Sequence, residues 1–252
     1  MVVFPFMKSL GKILFFIGIT IGLCAFAGPE AAFAHSCTVT PLKRPYKKST
    51  PDHFYYVVDF PANQGEASVP QGHFPFLARF QERVKTRGFS LKVKDLIRHQ
   101  KDFYQNFPED RKLFERVLKG EFGKLRPIRC MEAFLLDAHL SHLKEKSEFQ
   151  ALVLVHPKHS MKRLIVSSQN EEMGVRPDQK VESLMETFLK QGWRLEEHLH
   201  NHPFDFENPY GDIAGTPIPS PPDLENYRFL RSAHKLQTAV IINGFDAIQL
   251  NF

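Results

Sequence analysis

The chain has 252 residues, of which 42% are hydrophobic and 24% charged, and a formal charge of +5. That length buries a proper core in one domain plus an accessory segment, and no internal repeat or low-complexity tract interrupts it. The positive excess is too small and too dispersed to indicate a nucleic-acid binder.

Taken in order, the chain opens with a leader. Lys8 and Lys12 precede an uncharged apolar run from Ile13 to Ala27, and Ala32-Phe33-Ala34 offers a small-x-small cleavage site. The pattern predicts a secretory signal peptide over 1–34. The apolar run is shorter than the roughly twenty residues that span a bilayer, so a permanent anchor is the lesser reading. Cys24 lies in no lipid-attachment box, because Ile21-Gly22-Leu23 lacks a small residue just before it. The expectation is a secreted or periplasmic protein that meets the membrane only through its transient leader. Cys37 and Cys130 are then the mature cysteines, and an even pair in an oxidising compartment favours one disulfide over two buried thiols.

Residues 35–124 read as a linker and helical accessory segment. Prolines and polar residues punctuate the chain to Pro75, with one strand-like run at Phe54-Tyr55-Tyr56-Val57-Val58. The basic cluster from Lys43 to Lys48 reads as a solvated linker. Helical spacing then predicts helices over Phe76–Thr86, Leu91–Phe103 and Arg111–Leu118, with Gly88 and Gly120 as stops.

Residues 125–252 carry the chemistry. Apolar residues from Ala133 to Leu143 predict a helix over Met131–Lys144, followed by strands at Phe149–Val155 and Leu164–Ser168. A turn-rich loop over Gly174–Gln179 leads to a helix over Val181–Lys190, stopped at Gly192. A third helix runs from about Asp223 to Ser232, and strands at Thr238–Asn243 and Ala247–Phe252 close the chain about Gly244-Phe245-Asp246. Alternating helices and strands around one sheet predict an α/β sandwich.

Between these elements lies Glu197-His198-Leu199-His200-Asn201-His202-Pro203. Led in by Trp193-Arg194-Leu195, it suits an extended strand whose alternate side chains share a face, so two adjacent imidazoles can close on one ion. Ser220-Pro221-Pro222-Asp223 supplies a third ligand: Ser220 reads as an N-cap, Pro221 as the first helical residue and Asp223 as N3 of a capping-box-like start. His200, His202 and Asp223 with one open position form the set that catalytic zinc uses. Each half has an ordinary alternative, a chance His-x-His and a plain helix start. A triad of His198, His200 and His202 is a rival, but a straight strand sets the outer two about 13 Å apart. His198 reads as a groove residue, and His156, His159 and His234 as surface or structural.

His200-Asn201-His202-Pro203 followed by Ser220-x-x-Asp223 resembles the His-x-His-Pro and Ser-x-x-Asp signature of the JAMM, or MPN-plus, metallopeptidases, and Gly215-Thr216-Pro217-Ile218-Pro219-Ser220 resembles the lead-in of their bacterial branch. The resemblance covers about the last half of the chain, and the stretch from Pro203 to Ser220 is longer than the family's usual one. It implies an MPN/JAMM-like (cytidine-deaminase-like) sandwich of a mixed sheet with flanking helices, preceded by the small helical segment. It implies Zn2+ held by His200, His202 and Asp223, a tetrahedral intermediate stabilised by Ser220, and an upstream glutamate as general base to a zinc-activated water. Ser147-Glu148-Phe149-Gln150-Ala151-Leu152 is similar to the region of that glutamate, which makes Glu148 the candidate; Glu132 and Glu197 are the rivals. The implied activity is hydrolysis of an amide or isopeptide bond in a peptide or protein substrate. Two other classes stay open: an MPN-like binding module of the envelope that does not use the metal, and a different metal-dependent hydrolase.

Overall fold

The computed structural model describes residues 36–43, 45–91, 95, 111–112, 115–117, 119–171, 178–207 and 215–252. The leader, most of the helix expected over Leu91–Phe103 and 174–177 of the turn-rich loop lie outside the described residues; of the helix expected over Arg111–Leu118, residues 111, 112 and 115–117 are described and helical. No described helix is long and apolar enough to cross a membrane.

The described chain is a mixed α/β body. Its strands are β1 (Lys47–Lys48), β2 (Phe54–Pro61), β3 (Lys124–Pro127), β4 (Phe149–Val155), β5 (Met161–Ser168), β6 (Arg194–Asn201), β7 (Thr238–Ile242) and β8 (Asp246–Asn251). They form one sheet in the order β1-β2-β5-β4-β6-β7-β8-β3, antiparallel except for the β6–β7 pair. The helices are α1 (Pro75–Thr86), α2 (Cys130–Leu140), α3 (Gln179–Lys190) and α4 (Pro221–His234).

Alternation along each strand splits the core between the two faces. On β5, Leu164 and Val166 turn to the side of α1 and α2, where Leu77, Phe80, Phe134 and Leu135 are buried; Ile165 turns to the side of α3 and α4, with Val181, Met185, Leu224 and Leu230. Each such side chain contributes roughly 1.5–3 kcal/mol when fully buried. Every residue of α2 from Cys130 to His139 is buried, which explains its lack of a polar face. Glu132 accepts the Arg129 amide at 2.7 Å at the start of α2, and Asp137 from the middle of α2 accepts the Phe76 and Leu77 amides at 2.7 and 2.9 Å, satisfying the open N-terminus of α1.

Residues 35–124 do more than precede this body. The strand expected at Phe54–Val58 runs on to Pro61 and pairs along its full length with β5, from Phe54 opposite Ser168 to Pro61 opposite Met161. α1 packs on α2, and a disulfide joins Cys37 to Cys130 at the start of α2, with the Cα atoms 5.4 Å apart. Beside its helix the N-terminal segment thus contributes strands to the same sheet, and the pairing of β2 with β5 joins residues about a hundred positions apart.

Candidate metal centre

Topology puts the site together. A parallel pair needs a crossover, so the chain leaving the C-terminal end of β6 must travel back along the sheet before entering β7. α4 makes that return. Its first turn therefore stands at the C-terminal end of β6, where the histidines are, the end of a strand at which α/β sheets bind ligands. β4 runs antiparallel to β6 with Gln150 opposite His200, and Glu148, two residues before Gln150, acts on His202 through its charge.

The strand alternation is kept by a bulge. Val153 pairs with Glu197 and Leu154 with Leu195, which leaves Glu196 as an extra residue on β6. Leu195 and the histidines consequently face α3 and α4 together, although Leu195 and His198 are an odd three positions apart. His202 continues the line beyond the strand, its amide bonded to the Ile242 carbonyl at 2.9 Å.

His200, His202 and Asp223 converge. The two Nε2 atoms are 3.1 Å apart, His200 Nε2 lies 3.3 Å from Asp223 Oδ1, and His202 Nε2 lies 3.3 Å from Asp223 Oδ2. Both histidines are buried and the Asp223 side chain is 19% exposed. Ser220 caps α4 as expected: its amide and its hydroxyl both donate to Asp223 Oδ2 at 2.7 Å, so the hydroxyl predicted to serve an oxyanion is turned to the carboxylate.

The outer nitrogens are also engaged. His202 Nδ1 is 2.7 Å from the Thr216 carbonyl, which can only accept, so Nδ1 carries the proton and Nε2 presents a lone pair. A tight turn delivers that carbonyl. Gly215 has φ +68°, and a Cβ there would strike the Phe204 ring; its amide bonds Pro203 O at 2.9 Å and its carbonyl accepts from Asn243 Nδ2 at 2.7 Å. His200 Nδ1 meets the Tyr227 hydroxyl at 3.1 Å, one turn along α4 from Asp223. With its proton on Nδ1, His200 likewise turns the Nε2 lone pair to the common point.

The two Nε2 atoms face Asp223, so a proton there and a metal ion are alternative ways of balancing the triad. Burial alone would raise the Asp223 pKa, but the adjoining His200 charge and hydrogen bonds from His200 and His202 hold the carboxyl well below its ordinary range. Burial works the other way on His202, yet Asp223 and Glu148 raise its pKa on balance. Two imidazoles and one carboxylate oxygen within 4.8 Å of one another, each backed by a further partner, fit a divalent metal ion.

Glu148 is buried at the head of β4 and lines the same cleft as His200 and Asp223. Its rivals do not. Glu132 is closed in a buried bidentate pair with Arg126 and caps α2. Glu197 faces the opposite side of the sheet, where burial pushes its carboxyl up to about 7 and the charges of Lys162, Glu132 and Arg126 act on it. His198 lines the cleft and pairs with Gln150 at 3.1 Å, while His156 and His159 gather around Trp193. His234, expected to be surface or structural, is part of the cleft lining.

That cleft, of about 540 Å³, opens between α3 and α4 over β4 and β6. Thr216, Tyr227 and Asn201 are the partners that sequence reasoning missed. Tyr227 had a local signal, four residues after Asp223 on the same helix face. Asn201 Nδ2 donates to the Ser147 carbonyl at 3.1 Å and its Oδ1 accepts from the Phe149 amide at 2.7 Å, bracketing Glu148 from the neighbouring strand. No protein-family model, curated protein or solved structure matches this chain.

Proposed function

We propose that the chain is a zinc-dependent metallopeptidase of JAMM type, with an MPN-like fold, that hydrolyses an amide or isopeptide bond of a peptide or protein in an exported, oxidising compartment. The observation that carries the reading is the convergence of His200, His202 and Asp223 at a cleft whose wall also holds Glu148. The Cys37–Cys130 disulfide supports the compartment.

Two neutral imidazoles and one carboxylate suit zinc, which when bound supplies Lewis acidity to a water and to the scissile carbonyl. The chain's own residues do the rest. Thr216 and Tyr227 hold the two imidazoles with their Nε2 lone pairs inward. Glu148 takes a proton from the attacking water as the C–O bond forms, and passes it to the leaving nitrogen as the tetrahedral intermediate collapses, so that the C–N bond breaks and the amine departs neutral. Asn201 keeps Glu148 at its station by gripping the backbone on both sides of it. Ser220 anchors Asp223, and rotation of its hydroxyl offers a hydrogen bond to the oxyanion that develops on the carbonyl oxygen.

The test is a quenched fluorescent peptide library with randomised positions, incubated with zinc-supplemented protein. Expected are hydrolysis that a chelator abolishes and a Glu148→Gln variant that keeps its metal but loses at least about a hundredfold in rate. Hydrolysis by Glu148→Gln at the rate of the wild type overturns the mechanism, and no chelator-sensitive hydrolysis overturns the activity.

A further inference from the structure

Away from the triad, the cleft is acidic on one wall and apolar along its floor. Glu182 and Glu186 stand one turn apart on the exposed side of α3, Asp178 caps that helix, and all three line the cleft. The floor is Leu152, Val181, Met185 and Leu230, each at most 6% exposed. No lysine or arginine lines the cleft among the described residues. A divalent ion at the triad is offset by Asp223 and Glu148, which leaves Asp178, Glu182 and Glu186 to set the sign of the potential that a low-dielectric cleft focuses. Asp178 is engaged by the Ser49 hydroxyl and the Lys180 amide, bonds that leave its negative charge in place. Lys190 approaches Glu186 only at 3.9 Å with both side chains exposed, a weak surface contact.

An independent observation also points to a ligand. His198 is 3% exposed and lines the cleft. Gln150 Nε2 donates to Ser167 Oγ at 3.2 Å, which sets the amide with its oxygen toward His198 Nε2 at 3.1 Å. Nε2 therefore carries the ring proton. His198 Nδ1 is left as a buried acceptor without a hydrogen-bond partner on a ring that lines the cleft.

We infer that this cleft binds a peptide segment through a long cationic side chain, lysine or arginine in kind, with the aliphatic stem along Leu152, Met185 and Leu230, the charged end among Glu182, Glu186 and Asp178, and an N–H on His198 Nδ1. Such side chains bury the stem while keeping the charge at an acidic rim, which is the division of the cleft walls. Phe229, 60% exposed and on the same lining, extends the apolar surface outward for the neighbouring residue of the peptide. This deepens the metallopeptidase reading, on which it rests, by naming the residue that the substrate presents beside the scissile amide.

Binding is measured by calorimetry on the full chain in chelator, where hydrolysis does not enter, with acetyl-Ala-Lys-Ala-amide and its norleucine counterpart as probes. The lysine peptide should bind about five- to tenfold more tightly at low salt, and the preference should shrink to within about twofold in Glu182→Gln/Glu186→Gln and at high salt. Both glutamates are exposed on α3, so the variant keeps its fold, which circular dichroism checks. Equal binding of the two peptides, or a lysine preference untouched by the double variant, overturns the inference. A glutamate-dependent lysine preference in a chain that binds no zinc supports the cleft assignment and removes only the metallopeptidase reading; zinc-dependent hydrolysis indifferent to lysine does the reverse.

Discussion

Asn201 holds the Ser147 carbonyl at 3.1 Å from the neighbouring strand and, with its other amide atom, the Phe149 amide at 2.7 Å. Because it sits between His200 and His202, one residue of β6 ties the ligand-bearing strand to the backbone on either side of Glu148. His198 and His200 face the cleft and Asn201 faces the other way, so the same segment supplies a ligand on one side and a clamp on the other. His139 adds a second hold on the Ser147 carbonyl, through Nε2 at 3.0 Å.

Asn201→Ala leaves the buried Phe149 amide without its partner and the Ser147 carbonyl held by His139 alone, at a cost of about 1–3 kcal/mol in stability. Hydrolysis should fall by more than metal binding does, because the ligands remain while Glu148 loses its register. Denaturant unfolding and zinc titration on the same variant separate the two effects. A variant with wild-type stability would contradict the clamp.

Tyr227→Phe removes one hydroxyl from the His200 Nδ1 contact and nothing else of comparable size. Loss of such an outer partner weakens metal affinity by about 10- to 100-fold. Competition with a chromophoric chelator measures it. Unchanged affinity would show that the hydroxyl does not orient the ring.

Glu197 supplies a pH test on the far side of the sheet. Its carboxyl is raised to about 7 in the fold from an ordinary value of 4.5, first by burial, with Glu132 and Glu196 adding to the shift and Lys162 and Arg126 opposing it. Between those two values the folded chain binds the proton that the unfolded chain has released, so this group's contribution to stability declines as pH rises through that window. Glu197→Gln should therefore match the wild type near pH 4.5 and exceed it by about 1–3 kcal/mol at pH 8. Only the difference between the two proteins is diagnostic, because Asp223, whose pKa is lowered, acts in the opposite direction in both. A constant difference from pH 4.5 to 8 would contradict the shift.

What could be read in advance was local. The alternation of His198, His200 and His202 and the Ser220 to Asp223 helix start each occupy a few adjacent residues, and the histidine strand, α3 and α4 were legible to within a few residues from period and punctuation. Cysteine parity and compartment pointed to the Cys37–Cys130 bond. The rest needed partners distant in the chain. β2 is visible as a hydrophobic run, yet its pairing with β5 joins Tyr55 to Ser167, and no local pattern encodes that choice. The bulge at Glu196 depends on the register of two strands. Thr216 contributes a backbone carbonyl, which carries no side-chain signature, and Asn201 reads as a spacer until β4 is laid beside it. Glu182 and Glu186 are an ordinary solvated helix face in sequence, and become a wall only when α4 closes the opposite side.

The most direct measurement is the metal content of the purified chain after equilibration with zinc and removal of the excess, alongside His202→Ala and Glu148→Gln. The wild type and Glu148→Gln should each hold about one zinc per chain and His202→Ala less than about a tenth. A wild-type chain that retains no zinc, or a His202→Ala chain that retains as much as the wild type, would contradict the proposed metal centre.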